Sequence, residues 1–112
     1  SGARVDYPEY GRVVGEAVAA GHVDLGIAIC GSGVGISVAA NKVRGVRCAC
    51  VSEPYSARLA RLHNDANVLA MGGRVVGVEL AKMIVDEFIG TKPEGGRHAE
   101  RREQLAALDE AR

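Results

Sequence analysis

The sequence predicts an α/β protein: a three-layer, doubly wound (Rossmann-like) parallel sheet with helices on both faces, in one domain over residues 1–112. Two observations carry that expectation, and a third marks where its chemistry belongs. Short apolar runs alternate with segments whose apolar residues recur at helical spacing, as strands joined by crossover helices require. A length of 112 residues fits a single domain. Glycines are abundant, 15 in all, and a cluster of them stands directly after the first apolar run, where a strand turns into a helix.

The elements follow in order. Pro8 is tolerated in a first helical turn, and Val13, Val14, Ala17 and Val18 share one helical face up to Gly21. Leu25–Cys30 is a continuous apolar run, which predicts a strand covered on both faces. Gly31-Ser32-Gly33-Val34-Gly35 then opens a short apolar helix over Ile36–Ala40. Val46–Val51 is the next predicted strand, Glu53-Pro54 begins a helix through about Leu62, and Asn67–Met71 is a third strand. The stripe Val78, Ala81, Ile84, Val85 and Phe88 predicts a helix over Gly77–Ile89, stopped by Gly90. Thr91–Gly96 reads as a loop and Arg97–Arg112 as a charged helix.

Composition narrows the function classes. Lys and Arg number 14 against 14 Asp and Glu, a formal net charge of zero. That balance argues against nucleic acid and against an anionic membrane face as partners. Aromatic residues are only 4% of the chain, too few for a base-stacking platform. No apolar run approaches the roughly 20 residues that cross a bilayer. The three cysteines, Cys30, Cys48 and Cys50, include no C-x-x-C pair, so neither a disulfide framework nor a structural zinc site is expected. A reducing cytoplasm is the expected compartment.

The junction at Cys30–Gly35 is the strongest local signal. In open α/β sheets ligands bind beyond the carboxyl ends of strands, and a helix N-terminus preceded by glycines offers N–H groups to an anion. Gly31, Gly33 and Gly35 permit close backbone approach, and Ser32 adds a hydroxyl. A tight turn without a ligand satisfies the same pattern. A dinucleotide site is disfavoured, because the spacing is G-x-G-x-G rather than G-x-G-x-x-G. Cys30 faces that helix start, where the N–H groups favour a thiolate suited to accept a proton; a small buried apolar residue is the plain alternative. Cys48 and Cys50, two apart in a strand, are expected to pack in the core. His63 and Asn64 end a helix, where a His either caps the surface or transfers protons near neutral pH. Arg97 and Arg101 share a helical face just after Gly95-Gly96, a pairing that an anion would relieve. A solvated helix neutralised by Glu100 and Glu103 explains the spacing equally well, and Arg74 is ambiguous in the same way.

In combination these segments are distinctive. Asp6-Tyr7-Pro8, Cys30-Gly31-Ser32-Gly33-Val34-Gly35, Ala39-Ala40-Asn41-Lys42-Val43, Asn64-Asp65-Ala66-Asn67-Val68-Leu69 and Gly95-Gly96-Arg97-His98 resemble the type B ribose-5-phosphate isomerase family, which also holds the galactose-6-phosphate isomerase subunits. The resemblance implies interconversion of D-ribose 5-phosphate and D-ribulose 5-phosphate through an enediol(ate), with no metal and no organic cofactor. It implies Cys30 as the base, since Ile36 stands where one branch of the family carries a Glu. It further implies Gly31, Ser32, Gly33, Val34 and Gly35 as the anion-stabilising loop. His63 and Asn64 match the ring-opening position and its neighbour, and Arg74, Arg97 and Arg101 match phosphate-binding positions. The partners implied are a phosphorylated sugar and a second copy of the chain, in a homodimer or tetramer whose sites draw on both subunits.

Two rivals stand beside this: a hexose 6-phosphate isomerase of the same family, and a non-catalytic sugar-phosphate-binding remnant. Members of the family begin with a strand carrying Asp-His-Ala-Gly, then a helix and a second strand. None of these precedes Asp6-Tyr7-Pro8 here. The domain is therefore expected to be N-terminally incomplete, with apolar sheet edge left open. By itself the chain is expected to fall short of ordinary isomerase activity.

Overall fold

The computed structural model describes residues 6–111. In chain order its elements are α1 (Tyr7–Ala19), β1 (Gly26–Cys30), α2 (Val34–Asn41), β2 (Cys48–Cys50), α3 (Pro54–Asn64), β3 (Val68–Gly72), α4 (Val78–Gly90) and α5 (Arg97–Ala111). Local chemistry sets the boundaries. The α3 helix starts at Pro54 because the Glu53 carboxylate accepts the Ser56 N–H at 3.0 Å while proline supplies a preset φ. It stops at Asp65, whose left-handed φ of 48° is held by Arg61 Nη1 at 2.7 Å from its carboxylate. Among the described residues no helix is long and apolar enough to cross a membrane.

The three strands are parallel in the order β1-β3-β2. Cys30 pairs with Gly72 on one side of β3, and Cys50 with Ala70 on the other. From β1 to β2 the chain crosses by α2; it returns from β2 to β3 by α3 on the opposite face. Right-handed crossovers demand that change of face when the direction reverses. Every residue of β3 is buried. Val68 and Ala70 pack with Val18, Ala28, Ile36, Ala40 and Val46 under α1 and α2. Leu69 and Met71 pack with Ala57, Ala60, Ile84 and Phe88 under α3 and α4. Each large side chain so buried contributes about 1.5–3 kcal/mol.

Three expectations need correction. Strand β1 is covered on one face only: Ala28 is buried, but Ile27 and Ile29 are 39% and 57% exposed. The strand lies at the sheet edge, so α3 and α4, centred on β3, do not reach its second face. Strand β2 is shorter than Val46–Val51, because at its start a side chain takes the place of a strand partner, although the Val51 N–H still donates to the Ala70 carbonyl at 3.0 Å. The Arg47 N–H donates to Asn67 Oδ1 at 2.7 Å, and the Asn41 amide pairs with both the N–H and the carbonyl of Cys48, at 2.8 and 3.0 Å. Cys50 is exposed rather than packed in the core; it shares the strand face of Cys48 but lies beyond the core, at the carboxyl end of the sheet.

Helices α1 and α2 approach closely at Gly11. A Cβ there would stand 2.7 Å from Ala39 Cβ and 2.9 Å from the Ile36 carbonyl oxygen. Alanine in a helix interior gains about 1 kcal/mol over glycine, but overpacking costs about 1–3 kcal/mol. Gly11→Ala is therefore expected to lower stability by about 1 kcal/mol or more. Gly90→Ala, which meets nothing within 4 Å, should be neutral or slightly stabilising. Urea denaturation of the two variants checks the difference in sign.

Candidate functional site

The carboxyl ends of β1 and β3 are neighbours, yet the chain leaves them toward opposite faces, through α2 and α4. Such a reversal opens a crevice for a ligand. Gly33 makes the first turn possible. Its φ is 84°, and a Cβ on it would stand 2.7 Å from the Met71 carbonyl carbon and 2.8 Å from the Gly72 nitrogen. The second loop is fastened to the first: the Gly73 N–H donates to the Cys30 carbonyl at 2.8 Å, and the Arg74 N–H to the Gly31 carbonyl at 3.1 Å. This leaves the Arg74 side chain 3.6 Å from the Cβ position of Gly31.

Within that turn the N–H groups converge on sulfur. The Gly33 N–H donates to Cys30 Sγ at 3.2 Å, and the Val34 N–H to Ser32 Oγ at 3.2 Å. Burial pushes the Cys30 thiol up, but the N–H groups of Ile36, Gly33 and Ser32 and the Ser32 hydroxyl outweigh it. The net result lies below the ordinary thiol value. The other two thiols move the opposite way. Burial, and secondarily the charge of Cys50, pushes Cys48 up to about 12, while burial and the charge of Cys30 raise Cys50. Cys30 is the thiol prepared to give up its proton.

A second group of polar side chains forms around the end of α3. The rings of His63 and His98 stack with centroids 4.0 Å apart and planes within 6°. Glu94 Oε1 lies 3.8 Å from His63 Nε2. Arg102 clamps the arrangement by donating to the carbonyls of His63 at 3.1 Å and Glu94 at 2.7 Å. Burial, then the charges of His63 and Arg97, lower the pKa of His98 against an opposing pull from Glu94. Arg97 and Arg101 are exposed on α5, and Arg101 donates to Gln104 at 3.2 Å.

The structure thus brings Cys30, Gly31, Ser32, Gly33, Val34, Gly35 and Arg74 together, and separately His63, Asn64, Arg97 and Arg101. It does not bring the two sets to one place within a chain. The Gly26 N–H donates to the Asn67 carbonyl at 2.9 Å, which puts the end of α3 beside the amino ends of the strands. The first set lies at their carboxyl ends. The five residues of β3 between them span about 13 Å.

Sequence reasoning missed four residues. The Tyr7 ring lies against Gly35, with its Cζ 2.6 Å from the Cβ position of that glycine. Cys50 Sγ is 3.1 Å from the Cβ position of Gly33. Glu94 and His98 join His63. Tyr7 and His98 stand inside segments singled out for the resemblance. Glu94 and Cys50 carry no local signal, because their neighbours come from distant parts of the chain.

Residues 1–105 match the family model described as Ribose/Galactose Isomerase. The chain is 60% identical over 112 residues to ribose-5-phosphate isomerase B of Escherichia coli (strain K12), covering 100% of this chain and 75% of that relative. It is similar to the solved structure of Clostridium thermocellum ribose-5-phosphate isomerase B at a TM-score of 0.93 and 51% identity, over 96% of this chain and 72% of the other. It is similar also to ribose-5-phosphate isomerase B of Mycoplasma genitalium with bound ribulose-5-phosphate, at a TM-score of 0.92 and 41% identity, over 98% of this chain and 73% of that one.

The thiol environments generate a direct expectation. Cys30 should alkylate with iodoacetamide at a lower pH than Cys48, and Ser32→Ala should move the Cys30 profile upward by removing a hydroxyl that favours the thiolate. Peptide mass spectrometry of samples quenched across a pH series reads both. Coincident profiles for the unaltered chain and Ser32→Ala would remove Ser32 from the account.

Proposed function

Because the chain belongs to the ribose/galactose isomerase family, we propose that it interconverts D-ribose 5-phosphate and D-ribulose 5-phosphate, with Cys30 as the base. The observation that carries the role of Cys30 is its sulfur, held at the Gly33 N–H in the crevice between the ends of β1 and β3.

The chemistry follows from the site. Opening of the furanose ring exposes the C1 aldehyde, and His63, with Asn64 beside it, relays the proton between the ring oxygen and the C1 hydroxyl. The Cys30 thiolate removes the proton from C2, adjacent to the carbonyl. The electron pair forms the C1–C2 double bond, and charge develops on the carbonyl oxygen. As the sulfur takes up the proton, N–H groups of the Gly31–Gly35 loop are released from it to stabilise that charge. Transfer of a proton from O2 to O1 and delivery of the Cys30 proton to C1 complete the ketose. Atoms and charge balance without an external oxidant. Arg74, Arg97 and Arg101 hold the phosphate, whose charge relieves the repulsion between Arg97 and Arg101.

Two copies of the chain are required by this reading. His63 and Cys30 lie at opposite ends of one sheet, too far apart to act on one sugar. A homodimer in which the amino end of one sheet faces the carboxyl end of its partner's would unite them, giving two sites per dimer.

In the full-length protein, Cys30→Ala should abolish nearly all turnover while leaving binding of sugar phosphate largely intact. A loss of only about tenfold, or ~1.4 kcal/mol in the barrier, would remove Cys30 from the role of base. Shared sites give a sharper expectation. Refolding Cys30→Ala together with His63→Ala should restore about one quarter of the unaltered activity, since half the dimers are mixed and each mixed dimer regains one of two sites. Activity no greater than the sum of the separate variants would place the whole site in one subunit.

A further inference from the structure

We propose that His63, Glu94 and His98 form a binding site for a divalent d-block cation such as Zn2+, and that its occupancy inhibits the enzyme. The ligand atoms of the three side chains all lie within 4.8 Å of one another. A zinc ion with bonds of about 2.0–2.2 Å holds neighbouring donors roughly 3.4 Å apart, so closing the set requires the two imidazoles to swing out of their parallel stack. The Glu94–His63 pair, at 3.8 Å, is nearly there. Two imidazoles and one carboxylate are a common three-ligand set for zinc, with the fourth position left open to water or an anion.

The backbone around these residues is already fixed. The Glu94 N–H donates to the Leu62 carbonyl at 2.8 Å, and Arg102 binds the carbonyls of both His63 and Glu94. The end of α3, the loop and the start of α5 are therefore joined before any ion arrives, which lowers the ordering cost of capture. The charge of Arg97, next to His98 in sequence, opposes a cation. An inhibitory site of moderate affinity is the expected result, rather than a permanently filled one. The site itself is independent of the isomerase reading. The inhibition rests on that reading, because it acts by withdrawing His63 from proton transfer at the sugar ring.

Calorimetric titration with Zn2+ tests the site on the purified protein. One ion per chain is expected, with affinity reduced at least about tenfold in Glu94→Gln and in His98→Ala. His22→Ala, at the one histidine of the chain outside the cluster, should bind as the unaltered protein does. Absence of binding, or an affinity in Glu94→Gln and His98→Ala equal to that of the unaltered protein, overturns the site. A loss confined to Cys30→Ser overturns it too, by showing that the thiol alone takes the metal. Turnover assays over the same zinc range should show inhibition that is relieved in His98→Ala. Zinc that binds through the cluster without slowing turnover overturns the inhibition alone. A full-length protein that binds zinc but never isomerises ribose 5-phosphate would instead count against the isomerase reading.

Discussion

Gly33 presses against the carboxyl end of β3 with less room than a methyl group occupies, and the chemistry of that end of the sheet follows from the contact. The left-handed backbone at Gly33 turns its N–H toward Cys30. The same turn starts α2 at Val34, adding the N–H groups that hold the Cys30 thiol low. Gly72 is the other half of the contact: a Cβ there would lie 2.6 Å from the Ser32 carbonyl oxygen. Two glycines, one in the turn after β1 and one at the end of β3, therefore set the position and the acidity of one sulfur.

The amino end of the sheet is organised by a different interaction. Arg102 spends its guanidinium on two backbone carbonyls, fixing α5 to the end of α3. Helix α5 buries no residue of its own, so polar ties such as this one take the place of a core. That arrangement leaves Arg97 and Arg101 exposed and available to an anion. The two ends of the molecule thus differ in kind: one is a rigid backbone cradle, the other a set of long side chains on a lightly attached helix.

Much of this was legible in the sequence, for local reasons. The helix starts marked by Pro8 and Pro54, the glycine turn after Cys30 and the stripe ending at Phe88 are each decided by neighbours within a few residues. The alternation of runs and stripes then left little choice of fold class. What the sequence concealed was decided by position in the sheet. Ile27 and Ile29 belong to an apolar run like that of Val68–Met71, yet one strand became an edge and the other the centre. Cys48 and Cys50 read as equivalent, and only the register with β3 separates a packed thiol from one at the rim. Arg102 carries no local signal, because its partners are carbonyl groups, which every residue carries.

The amide of Asn41 sits beside the first residue of β2 and makes the pair of hydrogen bonds that another strand would make. It acts as a one-residue counterfeit strand. Because it occupies the outer flank of β2 at Cys48, lateral growth of the sheet is polarised. Any extended segment that joins this sheet is steered to the β1 flank, where Ile27 and Ile29 offer apolar cover. The direction in which the sheet can be enlarged is thus set by a single carboxamide on the far side of it.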